Sequence, residues 1–124
     1  MRLNTKIGIV DDARVARMLL IKILKEAGYS DFVEADNGAT GWEMIKSQKP
    51  DIVFCDCNMP VMKGLELLQK IRADGSTKSL PFVMVSAERM EADLERAREN
   101  GVTEYVVKPF GAQAIHDIIH KHVK

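Results

Sequence analysis

The sequence predicts an α/β domain built on a five-stranded parallel sheet with helices on both faces. Short runs rich in β-branched residues alternate with stretches whose apolar residues recur at three- and four-residue steps, the pattern of strands alternating with helices. The runs DIVFC and FVMVS are almost entirely apolar, as expected for strands covered on both faces. Five strands in a chain of 124 residues favour the doubly wound (βα)5 arrangement with strand order 2-1-3-4-5.

The predicted strands are, in chain order, KIGIV, FVEA, DIVFC, FVMVS and EYVVK. Helix 1 should follow the first of them, because apolar residues recur there at helical spacing. These apolar residues are Ala16, Leu19, Leu20, Ile23 and Ala27. Gly28 follows directly, and glycine commonly occupies the left-handed position just beyond a helix C-terminus. We therefore expect helix 1 to present this apolar stripe to the core and to end near Gly28.

Four further helices are predicted from the same periodicity. The residues at this spacing are Ala39, Trp42 and Ile45 in helix 2, Leu65, Leu68 and Ile71 in helix 3, and Ile115, Ile118 and Ile119 with the polar His122 in helix 5. Pro50 ends helix 2, because proline cannot continue a helix. Helix 4 should run from about Met90 to Asn100, with Gly101 closing it.

The composition is that of a soluble globular domain, with 46% hydrophobic and 29% charged residues. Eighteen Lys and Arg residues balance eighteen Asp and Glu residues, so the net charge gives no general attraction to nucleic acid or to an anionic membrane. The chain has no apolar run near the ~20 residues of a membrane-spanning helix. We therefore expect a cytoplasmic protein that neither binds nucleic acid nor inserts into a membrane.

The two cysteines, Cys55 and Cys57, flank Asp56. At strand spacing they share one face of the sheet and could not form an unstrained disulfide with each other. A tetrahedral metal site needs four ligands, and the chain has no further cysteine. We expect two reduced thiols that behave as small apolar residues.

Polar residues follow four of the five predicted strands at the point where each strand ends. They are Asp11 and Asp12 after strand 1, Asp56 after strand 3, Ser86 after strand 4 and Lys108 after strand 5. Parallel strands bring their carboxyl ends to one edge of the sheet, where doubly wound domains bind ligands. The five residues should therefore form one site.

Three carboxylates held together repel one another unless a cation neutralises them. Oxygen ligands with open coordination positions suit Mg²⁺, which keeps several of its waters. Lys108 could balance a carboxylate or contact a phosphoryl oxygen, and Ser86 adds a hydroxyl donor. The acid pair is thus predicted to form half of a magnesium site.

The segments IVDD, FCDCNMPVMKG, VSA and VVKPF, in this order and at these distances, resemble the receiver domain of two-component response regulators. The resemblance covers essentially the whole chain, residues 1–124, and is closest to the single-domain chemotaxis regulators of the CheY type. It implies one domain without an effector domain, monomeric, which takes a phosphoryl group from a histidine kinase. Such a domain catalyses its own phosphorylation and dephosphorylation without being an enzyme in the usual sense.

The resemblance also assigns roles at the active site. Asp56 becomes the phosphoacceptor and a metal ligand, and Lys108 pairs with Asp56 and then with the phosphoryl group. Asp12 is implied to bind Mg²⁺ directly and Asp11 through water. Asn58 is implied to offer the metal its backbone carbonyl.

Further roles are implied beyond the metal site. Ser86 would hydrogen-bond a phosphoryl oxygen, and the Tyr105 side chain would change its orientation in response. Asn58 and Glu88 would tune hydrolysis and hence the lifetime of the phosphorylated state. The Lys108–Pro109 peptide bond is implied to be cis.

The signal would leave through a surface formed by helix 4, strand 5 and helix 5. Its implied residues are Met90, Glu91, Leu94, Tyr105 and Ile118. Motor-binding chemotaxis regulators tend to be basic on this surface, whereas Met90, Glu91 and Ile118 are not. We therefore expect a downstream partner bound through apolar contacts, most readily in chemotaxis or motility signalling.

Other functions remain as alternatives. A phosphorelay intermediate or phosphate sink would use the same residues but pass the phosphoryl group to another histidine protein. A true phosphatase of the haloacid-dehalogenase type would have a second Asp where this chain has Asn58. The segment HDIIH, residues 116–120, imitates a zinc-protease helix, but an Asp stands where the general-base Glu belongs.

Overall fold

The computed structural model describes residues 4–57, 59, 61–87 and 91–123, and of Glu91 it describes the backbone. Strands and helices alternate in the order that the sequence predicts. They are β1 Lys6–Val10, α1 Arg14–Glu26, β2 Asp31–Ala35, α2 Gly38–Gln48, β3 Ile52–Asp56, α3 Gly64–Ala73, β4 Phe82–Ser86, α4 Glu91–Glu99, β5 Glu104–Val107 and α5 Ala112–His122.

All five strands are parallel and lie in one sheet with the order β2-β1-β3-β4-β5. The predicted fold class and strand order are therefore confirmed. The register sets Val10, the last residue of β1, opposite Ala35 of β2 and Cys55 of β3. The residues that follow β1 consequently lie beside the end of β3.

Two apolar layers cover the sheet, one on each face. The first, here the α2–α4 layer, includes Met44 and Ile45 from α2, Leu67, Leu68 and Ile71 from α3, and Ala97 from α4. The second, the α1–α5 layer, includes Leu20 and Leu24 from α1 and Ile115 and Ile119 from α5. Successive residues of β3 alternate between these layers because side chains along a strand point to opposite faces. Each large side chain buried in this way contributes about 1.5–3 kcal/mol to stability.

The stripe predicted for α1 is wrong in one place. Leu19 is 58% exposed, whereas Leu20 and Leu24 are buried in the α1–α5 layer. Consecutive residues of an α-helix point about 100° apart. Leu20 and Leu24, four residues apart, share the face that meets the sheet, and Leu19 is turned away from it.

The connection from β3 to α3 passes very close to itself at Gly64. The Gly64 N–H donates to the carbonyl oxygen of Cys57 at 3.2 Å. A Cβ atom built on Gly64 would lie 2.5 Å from the carbonyl oxygen of Asp56. Only a residue without a side chain fits here, so Gly64 lets the N-terminus of α3 pack against the end of β3.

Among the residues that the structure describes, no helix combines the length and the apolar character needed to cross a membrane.

We predict that Gly64→Ala destabilises the protein by roughly 1–3 kcal/mol, because its methyl group must displace backbone rather than a flexible side chain. Urea unfolding followed by circular dichroism measures the loss. Gly75→Ala is the matched control, since a Cβ there meets nothing within 4 Å. Equal stability of the two variants would contradict the close approach at Gly64.

Candidate functional site

Three carboxylates meet where β1 and β3 end. Asp11 and Asp12 directly follow β1, and Asp56 is the last residue of β3. One carboxylate oxygen from each lies within 4.8 Å of the others. Asp11 is buried, Asp56 is half-buried and Asp12 is exposed. The structure thus brings together the acids that the sequence predicts, with one side of the group open to solvent.

The backbone around Asp11 holds that residue in place. Its N–H donates to the Ala35 carbonyl at 3.1 Å, which extends the β1–β2 pairing by one residue. Its carboxylate accepts from the Ala13 N–H at 3.0 Å. Arg17 donates from one guanidinium nitrogen to the Asp11 carbonyl at 2.6 Å and from another to the Glu34 carboxylate at 3.0 Å. These bonds fix the direction in which Asp11 presents its carboxylate.

Lys108 reaches the acids from β5. Its N–H donates to the Ser86 carbonyl at 2.8 Å, which carries the β4–β5 pairing past the strand end. Its Nζ lies 3.7 Å from a carboxylate oxygen of Asp11. The resemblance predicts a pairing with Asp56, which lines the same cavity as Lys108. The Lys108–Pro109 peptide bond is cis, as the resemblance implies.

The donor set of the acid group fits a hard divalent cation. It offers three carboxylates, and Lys108 supplies one positive charge against them. Oxygen ligands of this kind, with solvent access beside Asp12, match the preference of Mg²⁺ for a few carboxylates plus water. Asp11, Asp12 and Asp56 are the described residues that could hold such an ion.

The two cysteines are free thiols with different surroundings. Cys55 is buried, and this burial raises the pKa of its thiol, with the nearby Asp56 carboxylate adding to the effect. Burial also raises the pKa of the half-buried Cys57 thiol. Both thiols are therefore uncharged near neutral pH. Both side chains belong to the α2–α4 side of the sheet, as their shared strand face predicts.

Ser86 and Tyr105 lie next to each other on neighbouring strands. Ser86 is buried, and its hydroxyl hydrogen-bonds the Tyr105 side chain. Tyr105 is half-buried against the α2–α4 layer, and burial raises the pKa of its hydroxyl. Its hydroxyl also accepts from the Cys57 thiol, at a sulfur–oxygen distance of 3.8 Å. Sequence reasoning placed Ser86 and Tyr105 on adjacent strands but missed the contact with Cys57.

The predicted output surface is described in part. Met90 and the Glu91 side chain lie outside the described residues, as do Asn58 and Glu88, which are predicted to tune hydrolysis rather than to form this surface. Leu94 is only 5% exposed, so its side chain belongs mainly to the interior and contributes little to a surface. Ile118 is half-buried and packs against the α1–α5 layer. Only part of its side chain is therefore exposed for contact with a partner.

An exposed apolar surface on α1 was missed by the sequence analysis. Val15, Met18 and Leu19, here the α1 patch, are 68%, 58% and 58% exposed. Leu19 also borders an apolar cavity of about 250 Å³ that Asp56 and Lys108 line as well. The available signal was that α1 carries more apolar residues than one buried stripe can hold. The patch therefore lies beside the mouth of the acidic site.

Comparison with known proteins identifies the family. The response regulator receiver domain family matches residues 7–120. Chemotaxis protein CheY-3 of Vibrio cholerae is 40% identical over 118 residues, which cover 95% of this chain and 91% of that protein. Chemotaxis protein CheY of Pseudomonas aeruginosa is 41% identical over 116 residues, which cover 94% of each.

Solved structures share the fold. Vibrio cholerae chemotaxis protein CheY4, crystallised at low pH, is similar with a TM-score of 0.87 at 26% identity, over 97% of this chain and 99% of that one. The receiver domain of the sensor histidine kinase PA1611 from Pseudomonas aeruginosa has a TM-score of 0.86 at 24% identity, over 96% and 97%. That domain has a magnesium ion coordinated in its active-site cleft. Because the family match spans almost the whole chain and its relatives align with it at about 40% identity, the chain belongs to the response regulator receiver domain family.

Proposed function

We propose that this protein is a stand-alone, monomeric response regulator of chemotaxis or motility signalling. It accepts a phosphoryl group on Asp56 from a histidine kinase in a Mg²⁺-dependent reaction and then changes its binding to a target protein. The observation that carries this proposal is the meeting of three carboxylates within 4.8 Å at the ends of β1 and β3, with Lys108 beside them. We propose chemotaxis as the pathway because similar proteins of Vibrio cholerae and Pseudomonas aeruginosa are chemotaxis proteins.

The chemistry requires an ionised nucleophile and stabilisation of charge on the transferred group. An Asp56 carboxylate oxygen forms a bond to phosphorus while the nitrogen–phosphorus bond of the donor phosphohistidine breaks, and that electron pair returns to the imidazole. Mg²⁺ held by Asp11 and Asp12 would supply charge neutralisation at the phosphoryl oxygens. The Lys108 ammonium, now 3.7 Å from Asp11, is close enough to turn to a phosphoryl oxygen.

The α1 patch is suited to the phosphodonor protein. A donor must bring its phosphohistidine to Asp56, and Leu19 borders the same cavity as Asp56. Exposed apolar clusters beside a polar site commonly mark protein interfaces. A helix of the donor protein would cover Val15, Met18 and Leu19 while its histidine faces the acids.

Output is proposed to run through Tyr105. A phosphoryl group on Asp56 competes with Tyr105 for the Ser86 hydroxyl, because a hydroxyl has a single hydrogen to donate. The loss of that partner changes the most stable position of the Tyr105 ring at the surface of α4 and β5. One local charge event thus biases a two-state side chain.

We predict that Asp56→Asn abolishes phosphorylation by a small phosphodonor such as phosphoramidate, since the nucleophilic carboxylate is gone. The wild-type protein should form a base-labile, acid-stable acyl phosphate only when Mg²⁺ is present. Intact-protein mass spectrometry and radiolabelling measure both. Labelling of the Asn variant at the wild-type level would refute the assignment of Asp56.

The lifetime of the acyl phosphate and its back-transfer separate the two regulatory roles. Decay without back-transfer to a histidine protein is expected for the switch. Rapid transfer onward to a second histidine protein would favour the phosphorelay or phosphate-sink alternative. Lifetime tuning by Asn58 and Glu88 stays a prediction, because both residues lie outside the described part of the chain.

We predict that Leu19→Glu slows phosphotransfer from a phosphohistidine protein about tenfold relative to transfer from phosphoramidate, because a charge placed in an apolar interface is desolvated without a partner. Ser30→Glu, which adds the same charge at an exposed position after α1, should leave the ratio of the two rates unchanged. An unchanged ratio in Leu19→Glu would mean that the donor docks elsewhere.

We predict that Tyr105→Ala weakens the binding of the target protein to the phosphorylated form, while Asp56 still becomes phosphorylated. The target is first recovered by affinity capture on the beryllofluoride-bound protein, and calorimetry then compares the two forms. Affinity should depend only weakly on salt, because the half-buried Tyr105 and Ile118 side chains offer a partner apolar contacts. Target contacts that map by NMR to α1 and α2 would place the output elsewhere.

A further inference from the structure

The Cys57 thiol belongs to the group that holds Tyr105. It donates to the Tyr105 hydroxyl at a sulfur–oxygen distance of 3.8 Å. The Ser86 hydroxyl lies within side-chain hydrogen-bonding reach of both Cys57 and Tyr105. These three side chains, here the switch cluster, come from the residue that follows β3, the last residue of β4 and the middle of β5. Tyr105 therefore has two polar partners, and one of them is the residue next to Asp56.

The backbone of Cys57 is anchored on both sides. Its N–H donates to the Val85 carbonyl at 3.2 Å, and its carbonyl accepts from the Gly64 N–H at 3.2 Å. The first bond ties it to β4 and the second to the start of α3. A shift of the Cys57 backbone would break one of these bonds. Within the switch cluster, Cys57 is thus a partner of Tyr105 whose backbone is held at both its N–H and its carbonyl.

We propose that Cys57 is a positioning residue of the switch: its thiol keeps hold of the Tyr105 hydroxyl when the Ser86 hydroxyl turns to a phosphoryl group on Asp56. Cys57 thereby determines where the Tyr105 ring rests in the phosphorylated protein. The proposal rests on the proposed function only for that last step, because the contact itself exists without phosphorylation. Cys55 has no such role, since its buried thiol donates to the Asp56 carbonyl at 3.3 Å.

NMR of the tyrosine rings tests the proposal on the full chain. The protein has two tyrosines, and buried Tyr29 in the α1–α5 layer serves as an internal reference. Cys57→Val removes the donor and puts two methyl groups in place of the sulfur, whereas Cys57→Ser keeps a hydrogen-bond donor. Without phosphorylation, the Cys57→Val variant should show shifted Tyr105 ring signals, and the Cys57→Ser variant should show signals close to those of the wild type. The Tyr29 ring signals should stay unchanged in both variants.

The same samples with Mg²⁺ and beryllofluoride test the step that depends on Asp56. In Cys57→Val the Tyr105 ring should move further from its wild-type position, because neither partner now holds it. Target affinity, normalised to the occupied fraction of Asp56, should change by roughly two- to tenfold, the equivalent of one hydrogen bond. In Cys57→Ser the change in target affinity should be at most about half as large as in Cys57→Val.

A reciprocal measurement guards against a variant that merely distorts the core. In Tyr105→Phe the Cys57 thiol loses its contact with the Tyr105 hydroxyl, and the rate of its reaction with a disulfide reagent should change by roughly two- to tenfold. Unaltered Tyr105 signals in Cys57→Val, or unaltered thiol reactivity in Tyr105→Phe, would overturn the proposal. Failure of the wild-type protein to bind beryllofluoride at Asp56 would instead refute the proposed function, and the comparison without phosphorylation would still decide the role of Cys57.

Discussion

The parallel pairing of β1 with β3 is the interaction on which the rest of this structure depends. It sets Val10 opposite Cys55, and so it places the residues that follow them, Asp11 and Asp56, side by side. Asp11 and Asp56 are 45 positions apart in sequence, yet one register brings them within the reach of a single ion. The pairings of β3 with β4 and of β4 with β5 extend the same edge to Ser86 and Lys108. Strand pairing alone, rather than a long loop, therefore brings these residues to one edge of the sheet.

Gathering three carboxylates opposes folding, and the structure limits that cost through the surroundings of each acid. Buried Asp11 accepts a hydrogen bond from the Ala13 N–H and lies near the Lys108 ammonium, so its charge has partners. Exposed Asp12 keeps its hydration. The free energy gained by burying the two apolar layers offsets the remaining repulsion, because that gain does not depend on the charges at the edge of the sheet. A cation that binds the folded chain and neutralises the acids adds to its stability.

The sequence was sufficient for the elements, the strand order and the gathering of the three acids with Lys108, because each depends on periodicity and on where parallel strands end. It was insufficient wherever the result depends on which neighbour covers a side chain. Leu19 and Leu94 are both apolar at helical spacing, yet Leu19 is exposed beside the acidic site and Leu94 is buried. The contact of Cys57 with Tyr105 joins residues 48 positions apart, and it requires the side-chain directions of two strands that are not adjacent.

The sheet also keeps the proposed input and output apart. The α1 patch and the cavity that Leu19 borders belong to the side covered by α1 and α5, whereas Tyr105 packs against the layer formed with α2, α3 and α4. A donor protein that covers Leu19 therefore leaves the Tyr105 side free. Asp56 lies at the edge between these two sides, and Cys57, the next residue, turns its thiol toward Tyr105. Side chains of successive strand residues point to opposite faces of the sheet. A single peptide unit therefore connects the proposed phosphorylation of Asp56 on one side with the proposed response of Tyr105 on the other.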